Sequence, residues 1–388
     1  MKDRNLVLCF DGTNNEFGRE DTNVVRLVRV LDRNPIAQRL YYDPGVGTLP
    51  EPGIFLPAAK TLSAWFGLAF GSGLTRKIRE AYGYLMNYWE PGDKVFLFGF
   101  SRGAYTARVL AGLLHAVGLL PRGGHNLVPY AMKYFRQMTE GHHYESPAID
   151  TSKWKDLCDD FRRTFGRQIT SRDDDRRFPV HYLGVWDTVS SVGWAWEPKH
   201  FPYTAYNPSV AHIRHAVAID EHRAFFRQNL FHPAKGQDVV ERWFSGVHCD
   251  VGGGYGKDRG RLWWAPFNWI LNEAMKTGLA ADPARMNQLL ANPPGRPWAE
   301  EINNSFKPAI WHAAELVPKM HYSSRLKYNF PRCNFWRRRQ IPQGALIDAT
   351  ALERIRDSTL AYVPSNLPPA FCSSVRSLIH VPASMPVP

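Results

Sequence analysis

Apolar residues along this chain gather in short, nearly unbroken runs. Five of them read as strands: Asn5–Phe10, Arg39–Tyr42, Lys94–Phe100, Val180–Trp186 and Val239–Gly246. Strands buried on both faces of a parallel sheet look like this, because neither face needs polar residues. Helical periodicity is read over Leu74–Tyr88, Ala104–Val117, Val128–Thr139, Ser209–Asp220 and Pro266–Thr277. Strands alternating with helices predict an α/β protein with a mostly parallel central sheet flanked by helices. Residues 122–178 read as a helical insertion, and 281–388 as a C-terminal extension packed on a catalytic domain of residues 1–280.

The strand ends carry the chemistry. Asp11, Asp43, Ser101 and Asp187 follow their runs directly, and His248 follows the last one by a short step. In open parallel sheets ligands bind outside the carboxyl ends of the strands. Gly99-Phe100-Ser101-Arg102-Gly103 stands between a strand and a helix. Strand, Gly-x-Ser-x-Gly and helix make a nucleophile elbow, in which small neighbours let the serine occupy a strained turn. A plain helix cap at Ser101 would leave the two flanking glycines unexplained.

A serine hydroxyl needs a base, and the base needs an orienting acid. Of fourteen histidines, His248 opens His-Cys-Asp-Val-Gly-Gly-Gly-Tyr after a late strand, on a loop expected to be mobile. His215 and His222 are expected on or near a helix, facing solvent or bonded locally. Asp187 is the expected acid, with Asp220 second. Oxyanion donors are expected at the backbone amides of Arg102 and of Gly12 or Thr13. Asp11 and Asp250 are expected to support the loops around the site. A cation held by Asp11, Asp250 and Asn23 is the less favoured reading, since dispersed Asp and Asn are usually turn formers. No metal and no organic cofactor are expected.

Composition narrows the class. The chain has 388 residues, 44% of them hydrophobic, enough for one large domain with insertions. No run of spanning length is free of charges and breakers, and the N-terminus carries no signal-peptide pattern. Cysteines at 9, 158, 249, 333 and 372 form no disulfide or zinc pattern. Synthesis in the cytoplasm is expected, with export by a signal-independent system left open. The net charge of +12 favours an anionic partner, but no nucleic-acid motif accompanies it, so no nucleic-acid partner is expected.

Seven segments in order resemble the α/β-hydrolase domain of type VI secretion phospholipase effectors and their relatives. They are Phe10–Asn14, Thr22–Val24, Pro44–Thr48, Gly99–Arg108, Val185–Val189, Ala218–Arg223 and Phe244–Tyr255. The resemblance implies an α/β-hydrolase-like fold and a Ser–Asp–His triad at Ser101, Asp187 and His248. It also implies phospholipase A-type cleavage of a lipid ester, with a secretion or immunity partner left open.

Two features bear on lipid. Ile54–Leu56 and Trp65–Phe70 form an apolar insertion suited to a lid or to the core. Phe335-Trp336-Arg337-Arg338-Arg339 suits an anionic membrane surface or a plain basic turn. The expected function is a serine ester hydrolase acting on membrane glycerophospholipids. The alternatives are a small-ester, thioester or other non-lipid acyl hydrolase, and a catalytically idle hydrolase fold used for binding.

Overall fold

The structure, a computed structural model, describes residues 4–12, 20–45, 70–138, 152–169, 176–189, 193–194, 197–198, 201–223, 225–256, 259–291, 295–307, 310–316, 319–323 and 328–368. Its centre is a seven-stranded sheet. The strands are β1 (Asn5–Phe10), β2 (Gln38–Asp43), β3 (Lys94–Phe100), β4 (Val180–Trp186), β5 (Val210–Ala218), β6 (Asp238–Phe244) and β7 (Leu346–Ile347). They lie in the order β7-β6-β5-β4-β3-β1-β2, and every pairing is parallel.

Side-chain alternation along these strands feeds two cores. Leu6, Leu8 and Phe10 of β1 and Val95 and Leu97 of β3 face one side. There they meet α2 (Phe70–Tyr88), α3 (Arg102–Val117), α4 (Val128–Gln137) and α5 (Ser152–Phe165). Val7, Cys9, Phe96 and Phe98 face the other side, against α1 (Asn23–Val30) and α7 (Trp264–Lys276). The helix α6 (His248–Gly252) lies between β6 and α7 in the chain.

The chain leaves β1 for β2 on one side and then crosses to β3 on the other, so the order reverses between β1 and β3. Such a reversal opens a crevice at the strand ends. Register levels those ends: Phe10 is opposite Gly99, Phe100 opposite Trp186, and Trp186 opposite Ala216. Asp11, Ser101 and Asp187 therefore emerge along one edge.

One expected helix is a strand. Ser209–Asp220 contains β5, a central strand between β4 and β6. The polar residues of this stretch do not lie on a helix. They are instead paired across the sheet: His212 and Arg214 with Asp238, and His215 with Glu241, all at 2.8 Å. The helix α1 was not anticipated. The apolar insertion at 54–69 lies outside the described residues.

The stretch from Ile341 to Leu367 packs on the β5–β6 side. Ile341, Ala351, Ile355 and Leu367 form a core with Val217, Ile219 and Trp243. Among the described residues, no helix is long and apolar enough to cross a membrane.

Candidate active site

Ser101 sits between β3 and α3 with φ 58° and ψ −122°, a backbone conformation that costs an L-residue energy. Hydrogen bonds hold it there. Its N–H donates to the Trp186 carbonyl at 3.0 Å, and its carbonyl accepts from Val189 at 3.3 Å. The hydroxyl is thus fixed at the β1/β3 reversal, directly before the first amide of α3.

His248 Nε2 lies 2.8 Å from Ser101 Oγ, and its Nδ1 lies 2.5 Å from Asp187 Oδ2. The three residues expected to act together form one hydrogen-bonded chain. They come from positions 61 and 147 residues away from His248 in sequence. Ser101 retains 7% of its surface, against 2% for His248 and 1% for Asp187, so the serine is the least buried residue of the three.

His248 is not on a free loop. It is the first residue of α6, and its backbone N–H donates to Glu221 Oε2 at 3.2 Å. The glycines after it serve close packing: a Cβ on Gly252 would stand 1.8 Å from the Phe100 ring. That ring and the Phe226 ring flank the imidazole, with centroids 4.7 and 4.8 Å away.

Electrostatics suit a base. Burial lowers the His248 pKa, with Asp187 opposing it, which favours the neutral ring. Burial alone would raise Asp187, but the Arg339 guanidinium and His248 outweigh it and hold the carboxyl well below its usual range. Glu221 is likewise buried, and its pairing with Arg223 at 2.8 Å brings it down to about 2.

Other expectations change. His215 is fully buried rather than solvent-facing. Its Nδ1 pairs with Glu241, and its Nε2 accepts the Thr188 N–H at 3.2 Å, bracing the backbone just after Asp187. His222 keeps the local bond expected of it, to the Asp220 carbonyl at 2.9 Å. Asp220 does not reach the imidazole chain; it accepts from Gly246 N and Tyr362 Oη, both at 2.7 Å.

The Gly12 amide donates to Asp11 Oδ1 at 2.7 Å, and Thr13 lies outside the described residues. Asp11 also accepts from Thr22 and Tyr42, each at 3.0 Å, tying the end of β1 to α1 and β2. Asp250 accepts from Val247 and from Asn303. Asn23 bonds the Val251 carbonyl and Arg26. These three side chains have separate partners, and no cluster of three or more His, Cys, Asp or Glu suited to a metal occurs among the described residues.

Sequence reasoning missed Glu221 and Arg339. In sequence Arg339 reads like the aromatic and basic residues before it. Phe335 and Trp336 are exposed, at 55% and 40%, but Arg339 turns inward and is buried. Its Nη1 and Nη2 donate to Asp187 Oδ1 and Oδ2 at 2.5 and 3.0 Å.

Comparison with known proteins gives a family match over residues 4–273, to the family described as T6SS, Phospholipase effector Tle1-like, catalytic domain. An uncharacterised protein of Saccharomyces cerevisiae is 35% identical over 253 residues, which is 64% of this chain and 35% of the relative. Among solved structures, an uncharacterised protein from Pseudomonas aeruginosa aligns with 73% of this chain and 47% of its own, at 19% identity and TM-score 0.42. A Tle1 effector bound to the VgrG spike of the type VI secretion system aligns with 66% of this chain and 52% of its own, at 18% identity and TM-score 0.33. The chain thus spans about a third of the yeast relative and about half of each solved chain.

Proposed function

This chain belongs to the T6SS Tle1-like phospholipase effector catalytic-domain family, and we propose that it is a serine ester hydrolase of phospholipase A type. The observation that carries the reading is the unbroken chain from Ser101 Oγ through His248 to Asp187, with the serine held in a strained turn.

In this reading Ser101 Oγ attacks the acyl carbonyl carbon while His248 Nε2 takes its proton. Asp187 holds the ring with Nδ1 protonated and stabilises the imidazolium. The Arg102 amide, first in α3, donates to the developing oxyanion. His248 then protonates the departing alcohol, and the acyl group remains on Ser101. A water molecule, deprotonated by His248, attacks that ester and releases the fatty acid.

The substrate class rests on the family and on surface chemistry. Phe335 and Trp336 are exposed next to Arg337 and Arg338, and the chain carries a net charge of +12. Aromatic rings beside arginines suit an anionic lipid surface.

The test is fatty-acid release from vesicles of mixed zwitterionic and anionic phospholipid, comparing wild type with Ser101→Ala. Release should fall by at least about 10³-fold in the variant. Equal release by both would exclude Ser101 as nucleophile. No release by either, with hydrolysis of short soluble esters retained, would move the substrate away from lipid.

A further inference from the structure

We propose that Arg339 is a positioning residue of this site: it fixes the Asp187 carboxylate in the orientation from which it accepts His248. The inference rests on the serine-hydrolase reading above. It extends the site beyond the family match, which ends at residue 273.

The geometry is a two-point clamp. Asp187 Oδ1 accepts from Arg339 Nη1 at 2.5 Å and from the Ala218 N–H at 2.9 Å. Asp187 Oδ2 accepts from Arg339 Nη2 at 3.0 Å and from His248 Nδ1 at 2.5 Å. Rotating the carboxylate would disrupt all four bonds together. A planar fork of donors imposes this constraint, and a single ammonium would not.

The guanidinium is itself held. Nε and Nη2 donate to the Phe226 carbonyl, and Nη1 lies 3.2 Å from that of Ala218. Asn366 donates to the Arg339 carbonyl at 3.0 Å. Phe226 is also the residue whose ring packs on His248. One buried side chain therefore grips both the acid and the backbone of a wall of the imidazole pocket. Burying an arginine is costly, and a staple for the C-terminal segment alone would not need to meet this carboxylate.

Charge gives a readout that a purely structural role would not move. His248 is faced by Asp187 from the end of β4 and by Glu221 and Arg223 from the segment after β5; the charge of Arg339 reaches it through Asp187. His215 and its partner Glu241 stand behind Asp187. Arg339 partly neutralises the Asp187 carboxylate, so it opposes protonation of His248. Removing that charge should keep the imidazolium to higher pH, where it cannot act as base.

The test uses the full chain, a soluble short-chain ester and a fluorophosphonate probe of reactive serine. Wild type should label, and Ser101→Ala should not; failure here sinks the serine-hydrolase reading itself. Given labelling, Arg339→Gln should lose about tenfold or more in kcat at pH 7, and the acid limb of its kcat/KM profile should move up by about one pH unit. Arg339→Lys should keep the wild-type limb and lose several-fold in kcat. An Arg339→Gln limb that coincides with wild type overturns the proposal, whatever its Tm. Should Arg339→Gln not fold, Arg339→Lys decides: wild-type kcat there overturns it, and reduced kcat at unchanged Tm supports it.

Discussion

Gly103 lies so close to β1 that a Cβ there would stand 2.2 Å from the carbonyl oxygen of Phe10. The second glycine of the Gly-x-Ser-x-Gly motif thus sets how near the start of α3 approaches the end of β1. Gly103→Ala must push backbone against backbone. Overpacking usually costs about 1–3 kcal/mol, and here no side chain can yield. The expected outcome is a Tm lowered by several degrees and slower labelling of Ser101 by a serine probe, read by thermal unfolding and gel fluorescence.

Glu221 and Arg223 form a buried pair, and the same carboxylate accepts the His248 amide. Glu221→Gln keeps the shape but leaves the Arg223 charge uncompensated. Breaking such a pair from one side costs about 3–5 kcal/mol. A urea midpoint equal to wild type would show that the pair contributes little.

His248 has a pKa below the ordinary 6.5 because it is buried, with Asp187 in opposition. In the proposed mechanism His248 must be neutral to accept the Ser101 proton. A lowered pKa means the neutral form persists to lower pH. The acid limb of kcat/KM should therefore fall below pH 6.5, measured on a soluble ester at constant ionic strength. A limb above 6.5 would show that the Asp187 carboxylate outweighs burial in setting the His248 pKa.

Asp11 is raised to about 6 by burial, against lowering by Gly12, Thr22 and Tyr42. A carboxyl raised in the folded state favours folding when protonated. Its penalty is absent below pH 3.8, grows between 3.8 and about 6, and is complete above that. Asn at this position can still accept from Gly12, and the two hydroxyls can turn to accept from its amide. Asp11→Asn should gain on the order of 1–3 kcal/mol at pH 8 and nothing near pH 4, by denaturant titration at both pH values.

Strands β1, β3 and β4 were legible to the residue because parallel strands buried on both faces carry little but apolar side chains. β5 was not. His212, Arg214 and His215 interrupt its apolar run, and their partners Asp238 and Glu241 sit on a neighbouring strand 24 to 26 residues later. A periodicity window cannot include such partners. The roles of the Asp11 and Gly12 groups were similarly open until their hydrogen bonds were fixed.

The sequence alone determined the elbow and the residue types around it, because a strained serine turn needs glycines within two residues and strand ends announce themselves by where apolar runs stop. Ser101, Asp187 and His248 could be named on that basis. The tertiary structure decided what surrounds them. Glu221 under the His248 amide, His215 behind Thr188 and Arg339 on Asp187 are joined across 27, 27 and 152 positions. Long-range partners of that kind leave no periodic trace. A buried charge at Arg339 reads in sequence like its exposed neighbours, and only packing turns it inward.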